Sequence, residues 1–173
     1  MTISPKESLI TIRSADANDI EIIHKIYEHY VLTSTATFEI IPPDLKEMQR
    51  RWEQMRTNRF PFLVAEKKST IAGFAYVNFF RARSAYQQTL EDSIYIDPNF
   101  MGQGIGFQLL DEVLKECQKL NIKEIIAVIG DSQNQASIHL HHKLNFRHIG
   151  ILSNVGFKFN KWLDVVLMQK SLR

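Results

Sequence analysis

The sequence predicts a mixed α/β fold: a central sheet with helices on both faces. Three observations carry that expectation. Two β-type runs are joined by a short polar turn, a third strand runs into a glycine-rich turn and an amphipathic helix, and a further strand, helix and strand follow. In order, residues 9–13 (LITIR) read as a short strand, with Ser14 and Asp16 as N-cap candidates for the next helix. In that helix Ile20, Ile23, Ile26, Tyr27, Tyr30 and Val31 recur at steps of three and four, one apolar face. Residues 35–39 (TATFE) break the pattern, and Pro42 and Pro43 start a second, more polar helix through Trp52 and Met55. Residues 62–66 and 71–80 flank the polar turn 67–70, an antiparallel hairpin signal. A strand over 89–96 follows the loop 81–88 and is closed by Asp97-Pro98. Then come Gly102, Gly104 and Gly106, followed by a helix with Leu109, Leu110, Val113, Leu114, Cys117 and Leu120 on one face. Residues 122–129 read as a buried strand, 135–144 as a short helix, and 146–149 and 163–168 as the last strands.

The 173 residues fit one domain, spanning 1–173, with no repeat and no Gly/Ser-rich linker. At this length ~70% of the unfolded chain's surface is buried on folding, so the core needs no staples. The formal charge of +2, from 21 basic and 19 acidic residues, excludes a dense basic face, so no nucleic-acid partner is expected. One cysteine, Cys117, cannot form an internal disulfide, which points to a reducing cytoplasm. Residues 1–9 lack the pattern of a signal peptide, and the longest strongly apolar stretch, 125–129, is far short of a membrane span.

The glycine run is the most informative feature. Three glycines at alternate positions, between a strand and a helix start, let backbone N–H groups converge on an anion, above all a phosphate. The dinucleotide pattern G-x-G-x-x-G fails, because Phe107 or Leu109 stands where the third glycine is needed. The Walker pattern fails as well, because no Gly-Lys-Ser/Thr is present. What remains resembles the GNAT superfamily of coenzyme A-dependent N-acetyltransferases, whose motif is Arg/Gln-x-x-Gly-x-Gly/Ala. Here Met101 precedes Gly102-Gln103-Gly104-Ile105-Gly106 where that motif has its Arg or Gln, and Asn145-Phe146 stands where the family has Gly-Phe.

Further matches run from residue 12 to residue 164. Ile12-Arg13 with Asp19, His29-Tyr30, Thr33-Ser34-Thr35 with Phe38, Arg83 with Ala85-Tyr86, and Glu91 with Ser93-Ile94-Tyr95-Ile96 are similar to the phosphinothricin and methionine sulfoximine N-acetyltransferases. So are Asn134 with Ser137, Leu140-His141, Gly156-Phe157-Lys158, and Trp162 with Asp164.

This resemblance implies a GNAT fold with a mostly antiparallel central sheet, and acetyl-CoA as cosubstrate. It also implies a small amino-acid acceptor, a role in detoxification or herbicide resistance, and a homodimer. Backbone groups of Ile94, Tyr95 and Ile96 would pair with the pantetheine arm. Gly102, Gln103, Gly104, Ile105, Gly106 and Phe107 would cradle the diphosphate, completed by Asn134 and Lys143. Glu91 would act as general base, since transfer to an amine needs the neutral amine. His141 would protonate the leaving thiolate, as imidazole titrates near neutrality. Phe38 and the loop Arg83, Ser84, Ala85 and Tyr86 would bind the acceptor, Arg83 by gripping its carboxylate.

His139, His141, His142 and His148 cluster, but no carboxylate stands at ligand spacing, and no metal is expected. Two rival readings stay open. A polyamine or protein-amine acetyltransferase would call for an acidic groove, against which Arg83 and the isoelectric point of 8.6 lean. A non-catalytic CoA sensor would not need both Glu91 and His141.

Overall fold

The computed structural model describes residues 10–173. Residues 1–9, including Leu9 of the first predicted strand and the segment read for a signal peptide, lie outside the described residues. Seven strands form one sheet: β1 (Ile10–Ser14), β2 (Phe62–Lys67), β3 (Thr70–Phe79), β4 (Thr89–Ile96), β5 (Glu124–Gly130), β6 (Arg147–Lys158) and β7 (Lys161–Ser171). Their order across the sheet is β1-β2-β3-β4-β5-β7-β6. Every neighbouring pair is antiparallel except β4 and β5, which are parallel. Four helices cover it: α1 (Ile20–Thr33), α2 (Leu45–Thr57), α3 (Ile105–Lys119) and α4 (Gln135–Lys143).

The strands sort their side chains by alternation. On β2, Leu63 and Ala65 face the α3 side, while Phe62 and Val64 face α1 and α2. α3 sinks Leu109, Leu110, Val113, Leu114 and Cys117 into the first core, and each large side chain so buried contributes ~1.5–3 kcal/mol. α1 sinks Ile20, Ile23, Ile26, Tyr27 and Val31 into the second, against Phe74 and Tyr95. The β2–β3 turn puts Lys68 (φ 50°) and Ser69 (φ 61°) in the left-handed region, as a two-residue hairpin turn requires.

Three local readings are corrected. Ser14 ends β1, and Asp16 instead caps a short 3₁₀ turn, with Asp19 completing a capping box. The second helix begins at Leu45, not at the prolines, because the Asp44 side chain accepts from the Glu47 N–H and caps it there. The last two strands are far longer than 146–149 and 163–168. β6 is an edge strand, opposite β1, and carries register shifts between His148 and Gly150 and between Leu152 and Gly156, which erase the alternation that marks a strand in sequence.

Candidate active site

The ladder between β4 and β5 is short. It runs from Thr89/Glu124 to Asp92/Ala127 and stops, although both strands continue. Beyond Asp92 the strands part, and the backbone groups of β4 that face β5 have no strand partner. A cavity of about 1010 Å³ opens in the gap, lined on one side by Ser93, Ile94, Tyr95 and Ile96 and on the other by Val128, Ile129 and Gly130. A ligand that brings its own amide groups can complete such an interrupted ladder.

The glycine turn closes one end of this cavity. Gly102 (φ 73°) and Gly104 (φ 76°) both adopt the left-handed conformation that side chains disfavour. A Cβ at either position would meet no protein atom within 4 Å, so the turn is bare on its outer side. Gly104 is the N-cap of α3, and the first-turn N–H groups of Ile105, Gly106 and Phe107 have no intrahelical partner. With the helix dipole they suit a diphosphate. Asn134 and Lys143, at the two ends of α4, also line the cavity. Bare glycines, free N–H groups and an uncovered strand edge together fit the cosubstrate coenzyme A.

The other end holds titratable side chains. Glu91 on β4 is half-buried and lines the cavity with Tyr27, Thr37, Phe38, Glu39 and Tyr76. Burial, with the neighbouring Asp92 charge second and Arg81 opposing, pushes its carboxyl up from 4.5 to about 7. A group with that pKa is present as carboxylate in useful amount at neutral pH and holds a proton well once it has one. The Tyr30 hydroxyl donates to the Ile96 carbonyl at 2.6 Å, tying α1 to the uncovered stretch of β4.

His141 lines the cavity but is not free. It is 2% exposed; its Nδ1–H donates to the Ser137 carbonyl at 2.7 Å, which turns Nε2 to Asp92 Oδ2 at 2.9 Å. Burial opposes the charge on its ring, but the Asp92 carboxylate outweighs that, and the net pKa is raised above 6.5. Both ring nitrogens therefore face oxygen partners, and the ring is held in place between Ser137 and Asp92. Donating a proton to a thiolate from Nε2 would require that nitrogen to leave Asp92.

Asp92 was not anticipated. Its signal was available: Leu90, Asp92 and Ile94 share one face of β4, and an acid among core residues is out of pattern. Tyr30, Thr37 and Tyr76 carried no such signal, since each also fits a packing role.

The structure does not bring the whole predicted set together. Arg83, Ser84, Ala85 and Tyr86 form an exposed turn that does not line the cavity. Sequence placed this loop beside β4, but the turn Ser84–Tyr86 faces solvent before the chain enters that strand. Gln103 is likewise exposed and off the lining; its side chain accepts from Lys67 Nζ at 2.6 Å. Phe38 lines the cavity as expected. Among the described residues no group of three or more His, Cys, Asp or Glu is placed to hold a metal ion. No helix among them is long and apolar enough to cross a membrane.

Comparison with known proteins bears on this geometry. A profile described as "Acetyltransferase (GNAT) family" matches residues 23–146. The chain is 44% identical over 162 residues to a phosphinothricin N-acetyltransferase of Alcaligenes faecalis, covering 94% of this chain and 82% of the relative. It is 34% identical over 163 residues to an L-methionine sulfoximine/L-methionine sulfone acetyltransferase of Salmonella typhimurium, covering 94% and 95%. Its fold is similar to that of a GNAT superfamily phosphinothricin acetyltransferase from Sinorhizobium meliloti, solved in complex with AcCoA. That match has a TM-score of 0.91 and 40% identity, covering 94% of this chain and 88% of the other.

Proposed function

The chain belongs to the acetyltransferase (GNAT) family, and on that premise we propose that it acetylates the α-amine of small L-amino-acid analogues such as phosphinothricin or methionine sulfoximine, with acetyl-CoA as donor. The observation that carries this reading is Glu91, half-buried at the cleft where β4 and β5 part, with a carboxyl that titrates at about 7. An amino-acid ammonium must lose a proton before it can attack, and a carboxylate of this strength takes it directly or through one water.

In this reading the first turn of α3, with Asn134 and Lys143, receives the diphosphate. The backbone of Ile94, Tyr95 and Ile96 pairs with the pantetheine arm, and an N–H of the same stretch polarises the thioester carbonyl. Glu91 holds the proton released by the amine while the thiolate departs. The Asp92–His141 pair braces β4 against α4 at the point where the strands separate. Phe38 and its segment wall the acceptor. A CoA sensor without catalysis would have no use for a carboxylate so perturbed.

We read residues 1–173 as one domain and the protein as cytoplasmic, from its single cysteine, which is buried. Its physiological role would be detoxification or resistance. A homodimer is supported by the edge strand β6, on which Ile149, Ile151, Val155 and Phe157 are each at least half exposed, beside Trp162 at 65%. Sedimentation velocity at micromolar concentration tests the dimer.

The function is tested by following CoA thiol release across amino acids, sulfoximines, phosphinates and polyamines. A polar-headed amino acid should exceed methionine and spermidine in kcat/KM by at least ~100-fold, because a site built to pair polar groups rejects analogues that lack them. Preference for spermidine or a lysine peptide would overturn the acceptor assignment.

A further inference from the structure

One wall of the cavity is irregular chain. Residues 34–39 contain neither helix nor strand, yet all six line the cavity. Without ladder hydrogen bonds, such a segment keeps a shape only if other elements impose one.

The β6–β7 hairpin does so. Lys158, the last residue of β6, is 4% exposed. Its Nζ donates to the carbonyl of Ser34 at 2.7 Å and of Thr37 at 2.8 Å. Its partners are carbonyls rather than carboxylates, so releasing either one leaves a buried ammonium short of an acceptor. Burial pushes its pKa down from 10.5, with Glu39 pulling the other way.

Two residues earlier stands Gly156, where a Cβ would lie 2.2 Å from Cε2 of Phe38. From the opposite side, a Cβ on Gly130 would lie 2.9 Å from Cε1 of the same ring and 2.5 Å from the Thr35 carbonyl oxygen. The Phe38 ring thus occupies a slot that two glycines leave open. The Thr35 hydroxyl donates to Asp131 Oδ2 at 2.9 Å. Asp164 of β7 in turn accepts from Ser132 Oγ at 2.9 Å and from the Asn154 N–H at 3.0 Å. Wall, β5–α4 loop and the irregular stretch of β6 are thereby joined.

We propose that Lys158 and Gly156 are positioning residues for acceptor selection: they hold the 34–39 wall, with Phe38, at the setting relative to Glu91 that decides which amine is accepted. The proposal rests on reading the cavity as an acetyltransferase site. It assigns a role to Gly156 and Lys158, which the cosubstrate cradle does not use.

The test compares wild type with Lys158→Met and, as a milder variant, Thr35→Val. Hydrogen exchange followed by mass spectrometry reads the wall without any assay of activity. Steady-state kinetics use the amine that gives the fastest turnover with wild type, whatever its class. The expected result is exchange at least about tenfold faster in peptides covering 34–39, with α3 and β5 peptides unchanged. The acceptor KM should rise about tenfold or more while acetyl-CoA KM stays within about twofold; Thr35→Val should shift both readouts the same way by less. Unchanged exchange at 34–39, or equal acceleration across the whole chain, overturns the proposal. So does an equal rise in both KM values. Failure of the acceptor reading shows separately, as a wild-type preference for a polyamine or as no turnover at all.

Discussion

The two ends of the cavity are built in opposite ways. The proposed cosubstrate end comes mainly from one continuous stretch, residues 94–107, completed by Asn134 and Lys143, and relies on backbone: an uncovered strand edge, two left-handed glycines and a helix start. The acceptor end is assembled from side chains far apart in sequence, with Lys158 reaching Ser34 across 124 positions and Thr37 across 121. Backbone chemistry tolerates many side chains around it. Side-chain chemistry depends on each partner being present, so the acceptor end is where single substitutions should change what the enzyme does.

Glu91→Gln breaks that comparison hardest. Loss of a general base should lower kcat ~100- to 10,000-fold, with acetyl-CoA affinity nearly unchanged. In wild type, kcat/KM for the acceptor should rise with pH through an apparent pKa of about 7, where Glu91 ionises, and Glu91→Gln should lose that limb. A wild-type rate in this variant would leave positioning alone as the source of catalysis.

Asp92→Ala should cost about 1–3 kcal/mol of stability, since it leaves a buried ring nitrogen of His141 without its partner. The gentler Asp92→Asn sharpens the point by pH. Asp92 raises the folded His141 pKa above 6.5, so the pair's contribution is complete below that value and is lost as pH climbs through the folded one. The melting-temperature gap between wild type and Asp92→Asn should therefore narrow from neutral to alkaline pH. A constant gap would mean that His141 is not charged in the folded protein.

Gly104→Val attacks the backbone end. A branched residue at φ 76° carries ~1–2 kcal/mol of strain, and its side chain would project into the bare space beside α3. CoA affinity measured by isothermal titration should fall at least ~10-fold, about 1.4 kcal/mol. Unchanged affinity in a folded variant would remove the glycine turn from the cosubstrate site.

Arg83→Ala should have the smallest effect. Its turn is exposed and off the cavity, and surface substitutions stay within about 0.5 kcal/mol, or ~2-fold in acceptor KM. A rise of tenfold would instead mean that a second subunit brings this turn to a cleft.

How far the sequence could be read follows the same division. The glycine turn, β4 and the apolar stripe of α3 were legible because each is a local pattern with a local cause. The extents of β6 and β7 were not, because an edge strand with register shifts shows no period of two. Glu91 was legible only through the resemblance; an isolated strand Glu does not announce its pKa. Arg83 and Gln103 were placed at the site through the resemblance, and the structure turns both outward.

The sequence by itself determined most of the secondary elements and the glycine turn before α3, since these depend on neighbours within a few positions, and the family, through matches spread along the chain. Only the tertiary structure decided where β4 and β5 part, that His141 faces Asp92 across 49 positions, and that Lys158 reaches the carbonyls of Ser34 and Thr37. The physical reason is that a perturbed pKa or a buried ammonium is a property of surroundings. Burial and opposing charge come from residues that chain folding, not chain order, makes adjacent.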